Sequence, residues 1–231
     1  MFKDPINYEI WAQTIMAQVK ICGLKTDEAV EAAIEYGADF IGLVHFPKSP
    51  RHVSLVAAGK LADLARGRVK IVLLLVNPGH ALIYEAARLV SPDYIQLHGG
   101  ESVKDVRSIR TRANLPIIKA IPVETAADVA EAAAYGEIAE LLLFDAKPSR
   151  DALLPGGNGI PFDWSALKGF NSDKDYMLSG GLDPQTVAQA IAATGARIVD
   201  VSSGVESAPG IKDLEKIKAF IEQAKSDRAG A

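Results

Sequence analysis

Short β-branched, apolar runs alternate along this chain with longer alanine-rich segments whose apolar positions recur at helical period. The pattern predicts strands over residues 18–21, 39–44, 69–75, 93–97, 115–121, 140–144, 175–178 and 197–201. Each run is short and mostly apolar on both faces, as expected of a strand covered on both sides. Helices are predicted between them. The segment 26–36 starts on the hydroxyl of Thr26, carries Asp27 and Glu28 in its first turn, and is followed by Gly37. The segment 54–66 also starts on a hydroxyl and stops before Gly67. Segments 78–90 and 101–112 follow the third and fourth strands, 125–135 the fifth, 184–194 the seventh and 213–224 the eighth. After the sixth strand only the short segment 162–168 has helical character. The Gly/Pro-rich stretch 147–159 precedes it and reads as a functional loop.

Strands alternating with helices imply a parallel sheet, and eight such units closing on themselves make a (β/α)8 TIM barrel of one domain. The other arrangement is an open doubly wound sheet. It needs fewer strands, and a dinucleotide-binding version carries G-x-G-x-x-G after its first strand. Here the first strand runs into Ile21-Cys22-Gly23-Leu24, which lacks those glycines. No interdomain linker is visible. The expected division is an N-terminal extension over residues 1–17 and the barrel over 18–231. Residues 6–16 form either a short helix covering one end of the fold or a frayed extension.

Composition narrows the function classes. A chain of 231 residues with 48% apolar content suits a domain that buries roughly 70–75% of its extended-chain surface without covalent staples. One cysteine allows no intrachain disulfide, which points to a reducing, cytoplasmic compartment. A net charge of −4 and a pI of about 5.6 argue against a nucleic-acid partner. No uncharged apolar run reaches the ~18 residues of a membrane helix. The first twenty residues, with Lys3, Asp4 and Glu9 among their apolar positions, lack the basic start, apolar core and small-residue cleavage site of a secretory signal. An anionic substrate must therefore be held by local donors rather than by the field of the whole protein.

In a βα barrel, chemistry sits at the C-terminal ends of the strands. Those ends carry Cys22; then His45, Ser49, Pro50 and Arg51; Asn77; Gln96 and His98; and Asp145. Cys22 reads either as a small buried hydrophobe or as a catalytic thiol. Asp145 reads either as a surface aspartate paired with Lys147 or as a carboxyl leaving a buried strand, able to act as an acid. Arg51 is either a solvated loop residue or a planar fork for a carboxylate. Gln96 and His98 are expected to bind substrate, with a structural histidine as the alternative for His98. Gly180 and Gly181 follow strand seven, and Ser202, Ser203 and Gly204 follow strand eight. Glycines there let backbone N–H groups approach an anion, and barrels commonly hold phosphate between these two loops. The four histidines and the cysteine lack metal-ligand spacing, so no metal site is expected. Neither a P-loop nor a G-x-S-x-G elbow occurs.

Taken together, these segments resemble one family, the phosphoribosylanthranilate isomerases. The resemblance runs from Val19 to Phe220 and includes VKICGL at 19–24, GADFIGLVHFPKSPRHVS at 37–54 and QLHG at 96–99. It continues through FDA at 144–146, LPGGNG at 154–159, FDW at 162–164, LSGGL at 178–182 and DVSSGVESAPGIKD at 200–213. One departure stands out: Asn158 occupies a place where threonine is expected. The resemblance implies an Amadori rearrangement of N-(5′-phosphoribosyl)anthranilate in tryptophan biosynthesis. It assigns the general acid to Asp145, the general base to Cys22 and the contact with the anthranilate carboxylate to Arg51. It places the phosphate at Gly181, Ser203, Gly204 and their neighbours. No cofactor is implied, because the substrate nitrogen is its own electron sink. The expected partner is a small phosphosugar, with neither nucleic acid nor membrane, and a monomer is favoured over a homodimer. The rival readings are a histidine-pathway phosphosugar isomerase, which should carry an aspartate where Cys22 stands, a non-catalytic phosphosugar-binding module, and a structural subunit.

Overall fold

Strand β1 (Gln18–Cys22) pairs in parallel with β2 (Phe40–Val44) on one side and with β8 (Ile198–Val201) on the other. Between them, β3 (Lys70–Leu75), β4 (Tyr94–Leu97), β5 (Ile117–Val123), β6 (Leu141–Ala146) and β7 (Tyr176–Leu178) complete a closed barrel in chain order. This is the expected (β/α)8 fold. The structure is a computed structural model, and it describes residues 16–147, 163–168, 170 and 175–226. Most of the loop 147–159, including Asn158, and nearly all of the N-terminal extension lie outside the described residues.

Side chains alternate along a strand, so each strand contributes to two cores. The inward set, Phe40, Val72, Ile118, Ala120, Leu143, Met177 and Ile198, fills the barrel. Nearer the C-terminal ends, Cys22 packs with Val44 and Leu74. The outward set, including Val19, Ile21, Ile41, Leu43, Ile71 and Leu73, packs against the helices through Leu61, Ile83, Val106 and Phe220. This two-sided burial is why the strands read as continuous apolar runs. Four polar residues of the strands share the inward parity and are buried with it: Lys20, Gln96, Asp145 and Asp200.

The helices are α1 (Asp27–Glu35), α2 (Leu55–Ala65), α3 (His80–Val90), α4 (Val103–Ala113), α5 (Ala126–Glu131), α6 (Val187–Thr194) and α7 (Leu214–Lys225). Thr26 and Ser54 cap α1 and α2 as expected, accepting from Ala29 N at 3.2 Å and Ala57 N at 3.1 Å. Three helices start later than their patterns suggest, because local carboxylates and caps claim the first residues. Helix α4 begins after Ser102, which forms a capping box with Asp105. Glu101 is instead buried, accepting from Asn77 N at 2.8 Å and Lys119 Nζ at 2.9 Å. Helix α3 begins after Gly79, because Asn77 takes a positive φ at the end of β3. Helix α6 begins after an Asp183 turn that accepts from Gln185 N and Thr186 N. The sixth helix reduces to one 3-10 turn, Trp164–Leu167. After β8 the chain adds an unpredicted two-stranded ribbon, β9 (Glu206–Ala208) with β10 (Ile211–Lys212).

Candidate active site

Within β1, Lys20 and Cys22 point into the barrel and the apolar residues between and around them point out. The Lys20 side chain is 0% exposed. Burying an ammonium is costly unless it is paired, and its Nζ donates to Asp200 Oδ1 on β8 at 2.7 Å. Burial pulls the Lys20 ammonium toward the neutral form, but Asp200 and Cys22 outweigh it and hold its pKa above the ordinary value. Ser179, at the end of β7, donates to the other Asp200 oxygen at 3.1 Å. Cys22 is 4% exposed at the mouth. Gly42 on β2 makes room for it: a methyl group there would stand 2.7 Å from Sγ. Burial pushes the Cys22 thiol up. Lys20 pulls it down, Asp200 pushes it up again, Lys212 pulls it down, and the balance stays above the ordinary thiol value.

Arg51 is buried, not solvated. Its Nε donates to Glu206 Oε1 at 2.8 Å and its terminal nitrogen to Oε2 at 2.9 Å, a two-point fork. Its stem lies against Gly23, whose added Cβ would meet Arg51 Cδ at 2.8 Å. Glu206 also accepts from Lys212 Nζ at 2.9 Å and from Gly210 N at 3.1 Å. Burial works against the Glu206 carboxylate, yet Arg51 and Lys212 prevail and lower its pKa.

Asp145 leaves the end of β6 with its side chain buried. It does not pair with Lys147, which turns outward to Glu124 at 3.2 Å and Asp128 at 3.5 Å. Its partner is His98, whose Nε2 lies 3.2 Å from Asp145 Oδ2. Gln96 Nε2 lies 2.9 Å from His98 Nδ1. An amide nitrogen only donates, so in this arrangement Nδ1 accepts and Nε2–H donates to the carboxylate. Gln96 Oε1 is buried with no hydrogen-bond partner. Turning that amide over would pair Oε1 with an Nδ1–H and leave Nε2 to accept from a protonated Asp145. Gln96 and His98 were expected to bind substrate; the structure gives them contacts to each other and to Asp145.

The two glycine-bearing loops meet. Gly180 and Gly181 both take positive φ, 87° and 68°. Successive backbone N–H groups in a turn are a common basis for an anion-binding concavity. Gly204 packs on the first loop so closely that an added Cβ would sit 2.0 Å from Leu182 O. Ser202 Oγ donates to Cys22 O at 3.1 Å, which ties this loop to the backbone of β1 at Cys22.

The structure thus gathers Cys22, Arg51, Asp145 and both loops at one end of the barrel. Sequence reasoning passed over Lys20, Asp200, Glu206 and Lys212. One signal was present: a lysine inside the apolar run Val19-Lys20-Ile21-Cys22 is out of place in a two-sided strand unless something inside the barrel neutralises it.

Comparison with known proteins agrees. The family model described as N-(5′-phosphoribosyl)anthranilate isomerase matches residues 19–223. The chain is 52% identical over 214 residues to the N-(5′-phosphoribosyl)anthranilate isomerase of Azorhizobium caulinodans, covering 93% of this chain and 94% of that one. With the enzyme of the same name from Rhizobium rhizogenes it shares 50% over 204 residues, covering 88% and 92%. Among solved structures it is similar to phosphoribosyl anthranilate isomerase from Thermotoga maritima, at 36% identity and a TM-score of 0.82, covering 91% of this chain and 99% of that one. A further structure of such an isomerase, in complex with reduced 1-(o-carboxyphenylamino)-1-deoxyribulose 5-phosphate, superposes with a TM-score of 0.79 at 36% identity over the same shares. By sequence and by fold, this chain belongs to the N-(5′-phosphoribosyl)anthranilate isomerase family.

Proposed function

We propose that the chain converts N-(5′-phosphoribosyl)anthranilate to 1-(2-carboxyphenylamino)-1-deoxyribulose 5-phosphate, with Cys22 as base and Asp145 as acid. The observation that carries this reading is their placement. Both side chains are buried and point into one barrel mouth, from strands three places apart around the closed sheet. Asp145 gives its proton to the furanose ring oxygen as the nitrogen lone pair opens the ring to a Schiff base. Cys22, as thiolate, removes the proton from C2. The enolamine that results takes a proton at C1 and loses the O2 proton, leaving the ketone. A related isomerase holds a reduced form of this product in its crystal structure, which supports the assignment of substrate class. The test is direct: purified protein mixed with freshly made phosphoribosylanthranilate should extinguish its fluorescence. A persistent signal at high enzyme concentration would refute the reading. A histidine-pathway activity draws no support from a mouth that carries Cys22 where an aspartate is expected.

In this reading Arg51 receives the anthranilate carboxylate while Glu206 fixes its plane. Gln96 and His98 border the substrate and set the Asp145 carboxyl. Arg51→Lys keeps the charge but cannot reproduce the fork. It should lower kcat/KM by roughly 10- to 100-fold, the worth of one charge-assisted hydrogen bond at about 1.5–3 kcal/mol. Most of the change should appear in KM, and steady-state kinetics on the purified variant would show it. Unchanged constants remove Arg51 from the site.

The phosphate sits in this reading between Gly180–Gly181 and Ser202–Gly204, held mainly by backbone N–H groups. Gly204→Ala forces the two loops apart at Leu182 O. Inorganic phosphate, acting as a competitive inhibitor, should then bind about tenfold more weakly, about 1.4 kcal/mol. Equal inhibition of both proteins would place the anion elsewhere.

A cytoplasmic location accompanies this reading, and no helix among the described residues is long and apolar enough to cross a membrane. A monomer is proposed on the surface: of the exposed large apolar side chains described, Met16 precedes β1, Val56 lies on α2, Tyr84 on α3 and Ile211 on β10. The Thermotoga maritima enzyme is described as dimeric, with monomers generated from it, so sedimentation equilibrium is the measurement that decides for this chain.

A further inference from the structure

Lys212 ends the ribbon that follows β8, and its side chain is only 3% exposed. Its Nζ donates to Ser202 O at 2.8 Å and to Glu206 Oε1 at 2.9 Å. Ser202 in turn donates through its hydroxyl to Cys22 O at 3.1 Å. The ammonium is therefore fixed over the end of β8, next to the residue that holds the backbone of Cys22. Burial at this place works against its charge and outweighs Glu206, lowering its pKa. Fold stability alone gives little reason for a cation here, since well-packed apolar residues commonly replace buried ion pairs without loss.

The groups that face Cys22 can be named element by element. On its own strand stands Lys20, paired with Asp200 on β8; of the charges acting on the thiol, Lys20 pulls its pKa down first, Asp200 opposes it, and Lys212 follows. From β2 come Gly42 and Val44, and from β3 Leu74, none of them charged. From the ribbon comes Lys212, which shares Glu206 with Arg51. A thiolate at Cys22 is thus a second anion within the field of Lys212.

We propose that Lys212 is a positioning residue for the base: its buried ammonium, anchored on Ser202 and Glu206, stabilises negative charge on the Cys22 sulfur. When the thiol ionises, its proton goes to solvent and the charge left on Sγ lies in the fields of Lys20 and Lys212. The thiolate then takes the C2 proton and returns to thiol. This inference rests on the reading of Cys22 as the base. The direction of the electrostatics agrees, since Lys212 pulls the thiol pKa down against burial.

Cys22 is the one cysteine of the chain, so the ultraviolet thiolate absorbance of the full-length protein, minus a Cys22→Ser blank, titrates it alone. Lys212→Gln keeps a donor for Ser202 but loses the charge. Its thiol should titrate about one pH unit or more above wild type, the usual effect of removing a nearby opposite charge. Its turnover should fall about tenfold at neutral pH and climb back toward wild type as pH rises, in step with that titration. Lys212→Arg should restore both. An unchanged titration midpoint in Lys212→Gln, with turnover lost equally at every pH, overturns the proposal and leaves Lys212 a support of the ribbon. If Lys212→Gln does not fold, Lys212→Met fills the same space without the charge and leaves Glu206 on Arg51 and Gly210 N. The same upward shift is expected there, and a wild-type midpoint is equally fatal. Full activity in Cys22→Ala would sink the base assignment instead, and the titration would still report whether Lys212 acts on the sulfur.

Discussion

Cys22→Ala should turn over N-(5′-phosphoribosyl)anthranilate at least about a hundredfold more slowly than wild type, within the 10²–10⁴ that a positioned general base contributes. The polar groups near the sulfur are already engaged: Asp200 accepts from Lys20 and Ser179, and the Ser202 hydroxyl donates to Cys22 O. Gly42, Val44 and Leu74 surround the sulfur and offer no proton acceptor. The fold should survive. One buried sulfur is worth about 1–2 kcal/mol, so the melting midpoint should drop by only several degrees. Cys22→Ser should be nearly as slow, since a hydroxyl ionises far less readily than a thiol. The wild-type enzyme carries a pH signature of the same group. Burial holds the thiol above its ordinary pKa, so the thiolate is the minor form at neutral pH and increases with alkalinity. Single-turnover rates should therefore climb from neutral pH upward, and that slope should vanish in Cys22→Ala. A variant that retains wild-type single-turnover rates assigns the C2 proton to another residue.

Asp145→Asn is expected to cost a similar factor, about a hundredfold or more, at a different step. The amide is nearly isosteric, and its oxygen can still accept from His98 Nε2, which lies 3.2 Å from the native carboxylate. Geometry is preserved and the transferable proton is lost. The ring then opens without acid assistance. KM should stay close to wild type while kcat falls, the pattern of an interaction made only in the transition state. Rapid-mixing fluorescence would show this as a slow first phase after normal binding. Normal ring opening in Asp145→Asn would mean that the leaving oxygen is protonated from elsewhere.

Much of this was legible along the chain. The eight strands were, because each is buried on both faces and its apolar run is a local signal. The strand ends were legible too, and with them Cys22, Arg51, Asp145 and the two glycine-bearing loops, since a barrel puts function at one end of its sheet. Helix starts were less legible. Glu101 suits a first helical turn in composition, but the structure spends its carboxylate on Asn77 N and Lys119. Residues far apart in sequence compete for such a group, and no local period records the outcome.

Sequence by itself determined the fold class, the family and the residue types available at the barrel mouth, because periodicity and turn chemistry are properties of neighbours along the chain. Tertiary structure decided which charges meet. Lys20 and Asp200 are separated by 180 positions, and Arg51 and Glu206 by 155. They become partners only because β8 closes against β1 and the ribbon after β8 folds over the loop after β2. Whether Arg51 is a solvated side chain or a fixed fork, whether Asp145 faces Lys147 or His98, and whether a lone cysteine is filler or base all depend on that closure. The physical reason is that burial removes water as a partner, so each polar group must take whichever group the closed barrel brings within hydrogen-bonding distance.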